Sequence, residues 1–410
     1  MQERERQEEA RDVIIAGGGF AGLALAVALA QSFGAGGRIA VLDPAFGRAP
    51  RKDPNSSAVA AGPRRLLETL GLWHKLSPQA APVMRMSITD SRLEDVLRPV
   101  WLDFGGPLPD GEAFAHIVPN DVLRDILLKA AQEQGVELLP AGFAGYSSVP
   151  MGLEVTLSDG RLLRAPLLVA ADGQRSRVRD AARIRTHGWR YDQAAIVTRI
   201  QLAADHEGTA IQHFLPGGPL ALLPLPERHA AVVWTLPRME AERLAGQDDI
   251  TFRDALEQAA GHAFDGLSLA GPRAVRPLGL QVARSFVAPR VALIGDAAHA
   301  IHPLAGQGLN LALKDVAALV EVVVGTARLG GDIGGPEPLE RYARWRRFDS
   351  LAMVAATDAL AHLFRNNRLR TVRDVGLGAF DRLGRLKNSV IRAAAGVQGD
   401  APALLRGERP

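Results

Sequence analysis

The chain contains no cysteine. That absence excludes disulfides, thiolate nucleophiles, iron–sulfur clusters and cysteine-based zinc sites together, and it is compatible with a reducing compartment. Charge of one sign is also missing: the formal net charge is +3, with 23% charged residues. No RNP, zinc-finger or basic-zipper pattern accompanies it, so no nucleic-acid partner is expected. Long apolar runs are absent as well. Nothing approaches the ~18 residues of a membrane span, and the most apolar stretch, around Leu220–Trp234, is cut by Pro224 and Pro226. The opening MQERERQEEA carries mixed charge and no apolar core, so it does not read as a signal peptide. The expectation is a soluble, cytoplasmic protein. At 410 residues and 47% hydrophobic composition, two or three domains with a sizeable core are expected.

Asp12–Ala16 (DVIIA) reads as a buried strand, Ala21–Gln31 as a helix and Arg38–Leu42 as a second buried strand. Such a βαβ unit implies a parallel sheet with a right-handed crossover. Asn120–Gln134 has helical spacing, with Val122, Leu123, Ile126 and Leu127 on one side. Leu153–Leu157 and Arg161–Ala165 flank a Ser158-Asp159-Gly160 turn and suggest a hairpin. Leu167–Ala171 is again a greasy strand. Ile196–Gln201, Thr209–Phe214, Leu220–Leu223 and Ala230–Leu236 suggest a second, mostly antiparallel sheet. Val291–Ile294 then returns to the buried parallel type, and helices follow. The strands of one sheet therefore lie at both ends of the chain, with the other sheet inserted between them.

Three motifs carry chemistry. Gly17-Gly18-Gly19-Phe20-Ala21-Gly22 fits G-x-G-x-x-G between a strand and a helix, where a tight turn and helix-start amides can receive a pyrophosphate. Asp43 closes the next strand and can accept hydrogen bonds from both ribose hydroxyls of an adenosine. Together these predict dinucleotide binding, NAD(P) or FAD. The second motif, Asp172-Gly173-Gln174-Arg175-Ser176-Arg177-Val178-Arg179, has the spacing D-G-x-x-S-x-x-R. The third runs from Ala292 to Asp315 as ALIGDAAHAIHPLAGQGLNLALKD. Its His299 and His302, with Asp296, could be metal ligands, but no further ligand lies nearby in sequence, and no metal is expected. A Ser/His/Asp hydrolase reading fails because Gly266-Leu267-Ser268-Leu269-Ala270 ends in the wrong residue for a nucleophile elbow. No second G-x-G-x-x-G follows a strand, which disfavours two-domain flavin reductases and Baeyer–Villiger enzymes. The five tryptophans lie apart and form no W-x-W pair.

With the second and third motifs the chain resembles the class A flavoprotein monooxygenases, and that resemblance settles the ligand as FAD. It implies an α/β fold: an FAD-binding Rossmann-like domain of glutathione-reductase type, an inserted mostly antiparallel β-sheet substrate domain, and C-terminal helices. The expected division is 11–80 plus 110–182 plus 280–345 for FAD, 81–109 plus 183–279 for substrate, and 346–410 for the helices. The resemblance assigns Gly17, Gly18, Gly19, Ala21, Gly22, Asp43, Asn120, Asp172, Gly295, Asp296, Pro303, Gly306, Gln307, Gly308, Leu309 and Asn310 to cofactor binding. Asp296 falls to the ribityl and ribose side, and Gly306–Asn310 offer backbone amides to the flavin pyrimidine edge, where reduced flavin is negative. The two histidines become pocket lining.

Further stretches, SSAVAAGPRRLLETLGLW (Ser56–Trp73), GWRYDQAAIV (Gly188–Val197), TAIQHFLPGGPLALLPLP (Thr209–Pro226) and VVWT (Val232–Thr235), are similar to the ubiquinone-biosynthesis hydroxylases of polyprenylated phenols. The resemblance covers about residues 12–360. It implies NAD(P)H and O2 as co-substrates, reduction of FAD, addition of O2 at flavin C4a, and transfer of the distal oxygen of that hydroperoxide to the ring. His213 and Phe214 are the substrate-pocket candidates, and no catalytic base is identified. The family's arginine before the Ser-Ser-Ala stretch is replaced by Asn55, which Arg51 or Lys52 would have to offset; Asn120 stands where relatives use Arg or Gln. A hydroxylase of a soluble aromatic and a non-catalytic flavoprotein scaffold stand as alternatives. Residues 361–410 carry ten Lys or Arg against four Asp or Glu at near-helical apolar spacing. Such a face suits packing on its own domain, or peripheral contact with the inner membrane or with other ubiquinone-biosynthesis proteins. A homo-oligomer is also compatible with the sequence.

Overall fold

Strand β1 (Val13–Ala16) is buried at all four positions, as a β-branched run covered on both faces requires. The computed structural model describes residues 10–48, 53–90, 100–105, 112, 113, 115–261, 266–301, 307–347 and 401–410. Helix α1 (Phe20–Phe33) follows β1 and leads to β2 (Ile39–Leu42). Residues Gly22 to Ala30 of α1 are all buried. A helix apolar on every side belongs inside a core, and α1 lies against the sheet with two further helices packed on it. These are α2 (Asn120–Glu133) and α6 (Gln307–Arg328).

Four more segments complete this sheet. Strands β4 (Glu137–Leu139), β5 (Leu167–Ala170) and β11 (Val291–Leu293) join in the order β11-β5-β1-β2-β4, all parallel. The short strand Val287–Ala288 pairs antiparallel on the β11 edge. As expected from the sequence, strands from both ends of the chain share one sheet. The predicted hairpin is present, Gly152–Leu157 with Leu162–Ala165, and Phe143–Val149 extends it to three strands.

The second sheet is mostly antiparallel. Its centre is β6 (Thr186–Leu202), flanked by β9 (His229–Pro237) and β10 (Ala274–Ala283); β8 (Gly218–Leu225) and β7 (Thr209–Leu215) follow beyond β9. Arg85–Asp90 pairs parallel with β7, the exception to the antiparallel pattern. From Ala194 onward side chains alternate between the two faces. Ile196, Ile200, Leu220, Leu222, Val232 and Trp234 pack under helices α4 (Arg238–Ala245) and α5 (Asp249–Ala260), while Ala195 and Val197 join the core of the parallel-sheet side.

Two connections seat one sheet on the other. His299–Ala300, just after β11, pairs with Val282 and Gln281 of β10. A small sheet of β3 (Ser56–Ala60), Ala115–Pro119 and Ala81–Val83 packs through Ala58 on a cluster that includes Ala210, Leu225 and Ala231 of the large sheet. At the far end of the chain, α7 (Ala403–Arg406) docks on α6, the Ala403 amide donating to Glu321 Oε2 at 2.7 Å. The basic stretch 361–400 lies outside the described residues. Among those described, no helix is long and apolar enough to cross a membrane.

Candidate active site

The register of the parallel sheet decides where the motifs meet. Ala16 stands opposite both Leu42 and Ala170, and Ala170 opposite Leu293. The residues that leave these strands, Gly17, Asp43, Ala171-Asp172 and Ile294-Gly295-Asp296, therefore emerge along one edge. Backbone bonds stitch that edge: Gly17 N to Leu42 O at 2.8 Å, Ala171 N to Ala16 O at 2.7 Å, and Ile294 N to Ala170 O at 3.0 Å. The crevice outside the carboxyl ends of parallel strands is where open α/β sheets bind ligands.

The glycines of the first turn do different work. Gly17 has φ +112°, and a Cβ there would collide with the Ala171 carbonyl. A Cβ on Gly22 would strike the carbonyl of Gly17, so these two are demanded by packing within the protein. Gly18 lies under the ring of Phe46. A Cβ on Gly19, by contrast, would meet nothing within 4 Å among the described residues, and the same holds for Gly308 at the start of α6. Among the described residues those two backbones are uncrowded, and Gly19 is exposed. Asp43 ties the turn to β2: its Oδ2 accepts from Gly18 N at 2.8 Å and its Oδ1 from Ala45 N at 2.8 Å. Each oxygen keeps a second lone pair for a ligand hydroxyl.

Asp172 anchors the Asp-Gly loop. Its Oδ2 accepts from the amides of Arg177 (2.7 Å) and Val178 (3.3 Å) at the start of α3 (Arg177–Ala181). Its Oδ1 is buried with no hydrogen-bond partner among the described residues. A buried carboxylate oxygen of that kind calls for a water or ligand donor. Arg179, buried to 5% exposure, donates to Gln174 O and Ala297 O, both at 3.1 Å. It fastens the second motif to the third, a role visible in the sequence only as the final R of the pattern.

Gly295 takes φ +57° and leaves room for the methyls of Ala21 and Ala312, each 3.3 Å from where its Cβ would stand. Asp296 follows with an exposed side chain. Its carboxyl is nonetheless hemmed in enough that desolvation pushes its pKa up, with His299 pulling it down. Such a group suits the wall of a cleft. Behind the loop lies a fully buried ionic cluster that sequence reasoning missed. Asp315 accepts from Gly295 N at 2.9 Å and from Arg346 Nε at 2.7 Å. His299 Nε2 lies 2.7 Å from Asp315 Oδ2, off the line of an aligned hydrogen bond. Burial works to raise the pKa of Asp315, but His299 and Arg346 together hold it below the usual carboxylate range. The available signal was a carboxylate beside Lys314 within the mostly apolar α6.

The expectation that His299 lines the pocket is therefore corrected: it is 1% exposed and turned toward Asp315. His302, Pro303 and Gly306 lie outside the described residues. Gln307, Gly308 and Leu309 form the first described turn of α6. Asn310 is buried; its Nδ2 donates to Ala58 O at 2.8 Å and its Oδ1 accepts from Ala60 N at 2.9 Å, so the side chain brackets α6 to β3. Asn120 accepts from Ser57 Oγ at 2.7 Å, and its amide donates to Asn55 O at 3.1 Å. Arg51 and Lys52 lie outside the described residues.

On the large sheet, the two substrate-pocket candidates part company. His213 is buried, with its ring nitrogens 2.6 Å from Thr89 Oγ1 and 3.1 Å from Ala260 O, the last residue of α5. It belongs to the helix-covered side rather than the side toward the crevice, which corrects its assignment. Phe214, one residue on, alternates to the other face.

The residues present fit a dinucleotide. Two glycine backbones are uncrowded among the described residues, helix-start amides lie beside Gly19, a strand-end carboxylate has spare lone pairs, and Asp172 keeps an unmatched oxygen. A family model described as "FAD binding domain" matches residues 10–356. The chain is 38% identical to "Ubiquinone hydroxylase UbiL" of Rhodospirillum rubrum, over 98% of this chain and 94% of that protein. It is 33% identical to "3-demethoxyubiquinol 3-hydroxylase" of Escherichia coli, over 94% and 98%. Among solved structures, p-nitrophenol 4-monooxygenase PnpA from Pseudomonas putida superposes with a TM-score of 0.76 at 17% identity, covering 95% of this chain and all of that one, a likeness of fold.

Proposed function

The chain belongs to the FAD binding domain family, and from that membership we propose that it is an FAD-dependent monooxygenase of ubiquinone biosynthesis whose substrate is a polyprenylated phenol. The observation that carries this reading is the meeting of three separate motifs, Gly17–Gly22, Asp172–Arg179 and the described part of the third around Gly295-Asp296, at the carboxyl edge of one sheet. In this reading segments 11–80, 110–182 and 280–345 hold FAD, while 81–109 and 183–279 meet the phenol. Bound FAD would supply the redox chemistry, taking electrons from NAD(P)H and activating O2.

The protein's own part is orientation and exclusion of water. The Gly19 and Gly308 backbones let a flat, anionic ligand approach, and the amides of Gln307–Leu309 favour negative charge where α6 begins. Asp43 takes the ribose hydroxyls, and Asp296 stands on the polyol side. The buried Asp315–Arg346 pair fixes the Gly295 turn through the Gly295 amide. The inner face of the large sheet, with Phe214, roofs the ring and keeps water from it. A lipid-borne substrate also fits a cytoplasmic protein in peripheral contact with the inner membrane, beside other proteins of the pathway.

The test is direct. Purified protein should be yellow, and it should consume NAD(P)H and O2 only when a polyprenylphenol is added. Mass spectrometry of lipid extracts from a deletion strain should show an under-hydroxylated quinone precursor. Colourless protein that takes up no FAD, or a deletion strain with normal quinone, refutes the reading; turnover of a water-soluble phenol alone moves it to a different hydroxylase.

A further inference from the structure

Strand β6 begins ahead of its partner. Its pairing with β9 starts at Gln193, opposite Pro237, while Thr186–Arg190 pair with β10 alone among the described residues. That leading stretch is exposed at every position. Basic side chains gather on it. Arg190 lies on the strand, and Arg183 and Arg185 lead into it from α3. Arg284 is brought alongside by its amide, which donates to Arg185 O at 2.9 Å. Arg175 follows Gln174, whose carbonyl accepts from Gln281 Nε2 of β10 at 3.2 Å. All five arginines are exposed, and none forms an ion pair among the described residues; the exposed carboxylate of Asp180 faces Arg179 instead, at 3.5 Å. Amid them stands Trp189, 48% exposed, its ring edge-on to Tyr191 at 6.5 Å. Charges on a free strand edge have an ordinary use, which is to keep a second strand from pairing there. A large exposed indole works against that use, because it adds apolar surface to the edge. Arginine and tryptophan together suit a headgroup layer: guanidinium groups bind phosphates in a fork, and an indole settles where water meets hydrocarbon.

Resting on the lipid-borne substrate of the reading above only for why a bilayer matters, we propose that the leading edge of β6, with Arg183, Arg185, Arg190, Arg284 and Trp189, is the surface on which the protein docks to an anionic membrane. A protein partner would need an apolar centre inside such a rim. A single indole ringed by cations is too little for that and enough for phospholipid headgroups. The surface borders the crevice, since Gln174, held by β10, lies two residues beyond the Asp172 that anchors the second motif. A bilayer bound there lies beside the cofactor edge, and it is held by the large sheet rather than by the basic stretch 361–400.

The experiment measures co-flotation of the full chain with vesicles of phosphatidylcholine, alone or with about a third phosphatidylglycerol. Wild type should bind the anionic vesicles and not the neutral ones, and it should be released between about 0.1 M and about 0.5 M salt. The triple variant Arg183→Gln/Arg185→Gln/Arg190→Gln should bind at least about thirtyfold more weakly, the share of three arginines in surface attraction. It should melt like wild type, because those side chains are exposed and make no ion pair among the described residues. Trp189→Ser should weaken binding about threefold or more. Equal binding by wild type and the triple variant overturns the proposal, as does wild type that binds neutral vesicles equally well or binds none. A triple variant that loses affinity for NAD(P)H and keeps its vesicle binding also overturns it, and gives the arginines to a soluble phosphate. If the triple variant does not fold, Arg190→Gln alone decides, with about fivefold weakening expected and wild-type binding overturning the idea. Flotation needs neither FAD nor turnover, so its failure leaves the function standing, and failure of the function leaves the flotation result standing.

Discussion

The carboxyl edge of the parallel sheet and the inner face of the large sheet are built by different means. At the first, function rests on backbone: glycine turns, helix-start amides and strand ends. Backbone sites leave local signatures, because only glycine survives where a Cβ would meet the carbonyl of Ala171 or Gly17. At the second, function rests on side chains presented by alternation. One step along β7 moves a residue from under α5 to the opposite face, as His213 and Phe214 show. Spacing alone does not reveal which face is which. That is why the glycine turns at the strand ends were legible in the sequence and the facing of the large sheet was not.

The sharpest way to break this contrast is Asp315, a side chain on which the backbone edge depends. Replacing it with leucine takes the carboxylate away from buried His299 and Arg346 and frees the Gly295 amide. The expected loss is about 3–5 kcal/mol of stability, with FAD binding lost in parallel. Chemical denaturation of the two proteins measures it. A loss below about 1 kcal/mol would show that the cluster is incidental to the edge.

Within the glycine turn itself the comparison sharpens. Gly17→Ala must move the Ala171 carbonyl and hold alanine at φ +112°, so about 2–4 kcal/mol of stability should go. Gly19→Ala meets no atom of the described residues, and Gly19 already has φ −79°. It should melt like wild type yet bind FAD at least about tenfold more weakly, because the methyl stands where the ligand approaches. Equal melting temperatures for the two variants would mean that the turn is not sorted into packing and ligand positions.

On the large sheet, His213→Gln and Phe214→Leu separate the two faces. The first should cost about 1–2 kcal/mol, through the lost contacts to Thr89 and Ala260, with KM unchanged. The second should raise the KM for the phenol severalfold with little change in melting temperature. Reversal of these two outcomes would put the substrate under α5.

The sequence pattern foretold both sheets, their mixed order along the chain and the three motifs, because burial periodicity and glycine turns are local properties. It did not foretell Arg179, Asp315 or Arg199. Each of these joins elements far apart in the chain: Arg179 to Ala297, Asp315 to Arg346 and Arg199 to Asp53. No spacing rule announces a partner of that kind. The most misleading residue was His299, which stands beside a motif and serves the core.

The effect confined to one pH window lies between the two regions, in the small sheet that joins them. His116, on Ala115–Pro119, packs edge-on to Trp73 and has a buried Nδ1 without a partner among the described residues. Burial first, and the nearby Arg64 second, lower its pKa from 6.5 to about 4, with Glu112 opposing. The unfolded chain therefore takes up a proton on His116 as pH falls below 6.5, while the folded protein refuses it until about pH 4. The folded state loses stability through that interval and has the full contribution above it, on the order of 2 kcal/mol after allowance for partial exposure. His116→Phe should flatten that part of the stability profile between these pH values. If the wild-type and variant profiles stay parallel there, His116 is not what makes the joint between cofactor edge and substrate sheet sensitive to acid.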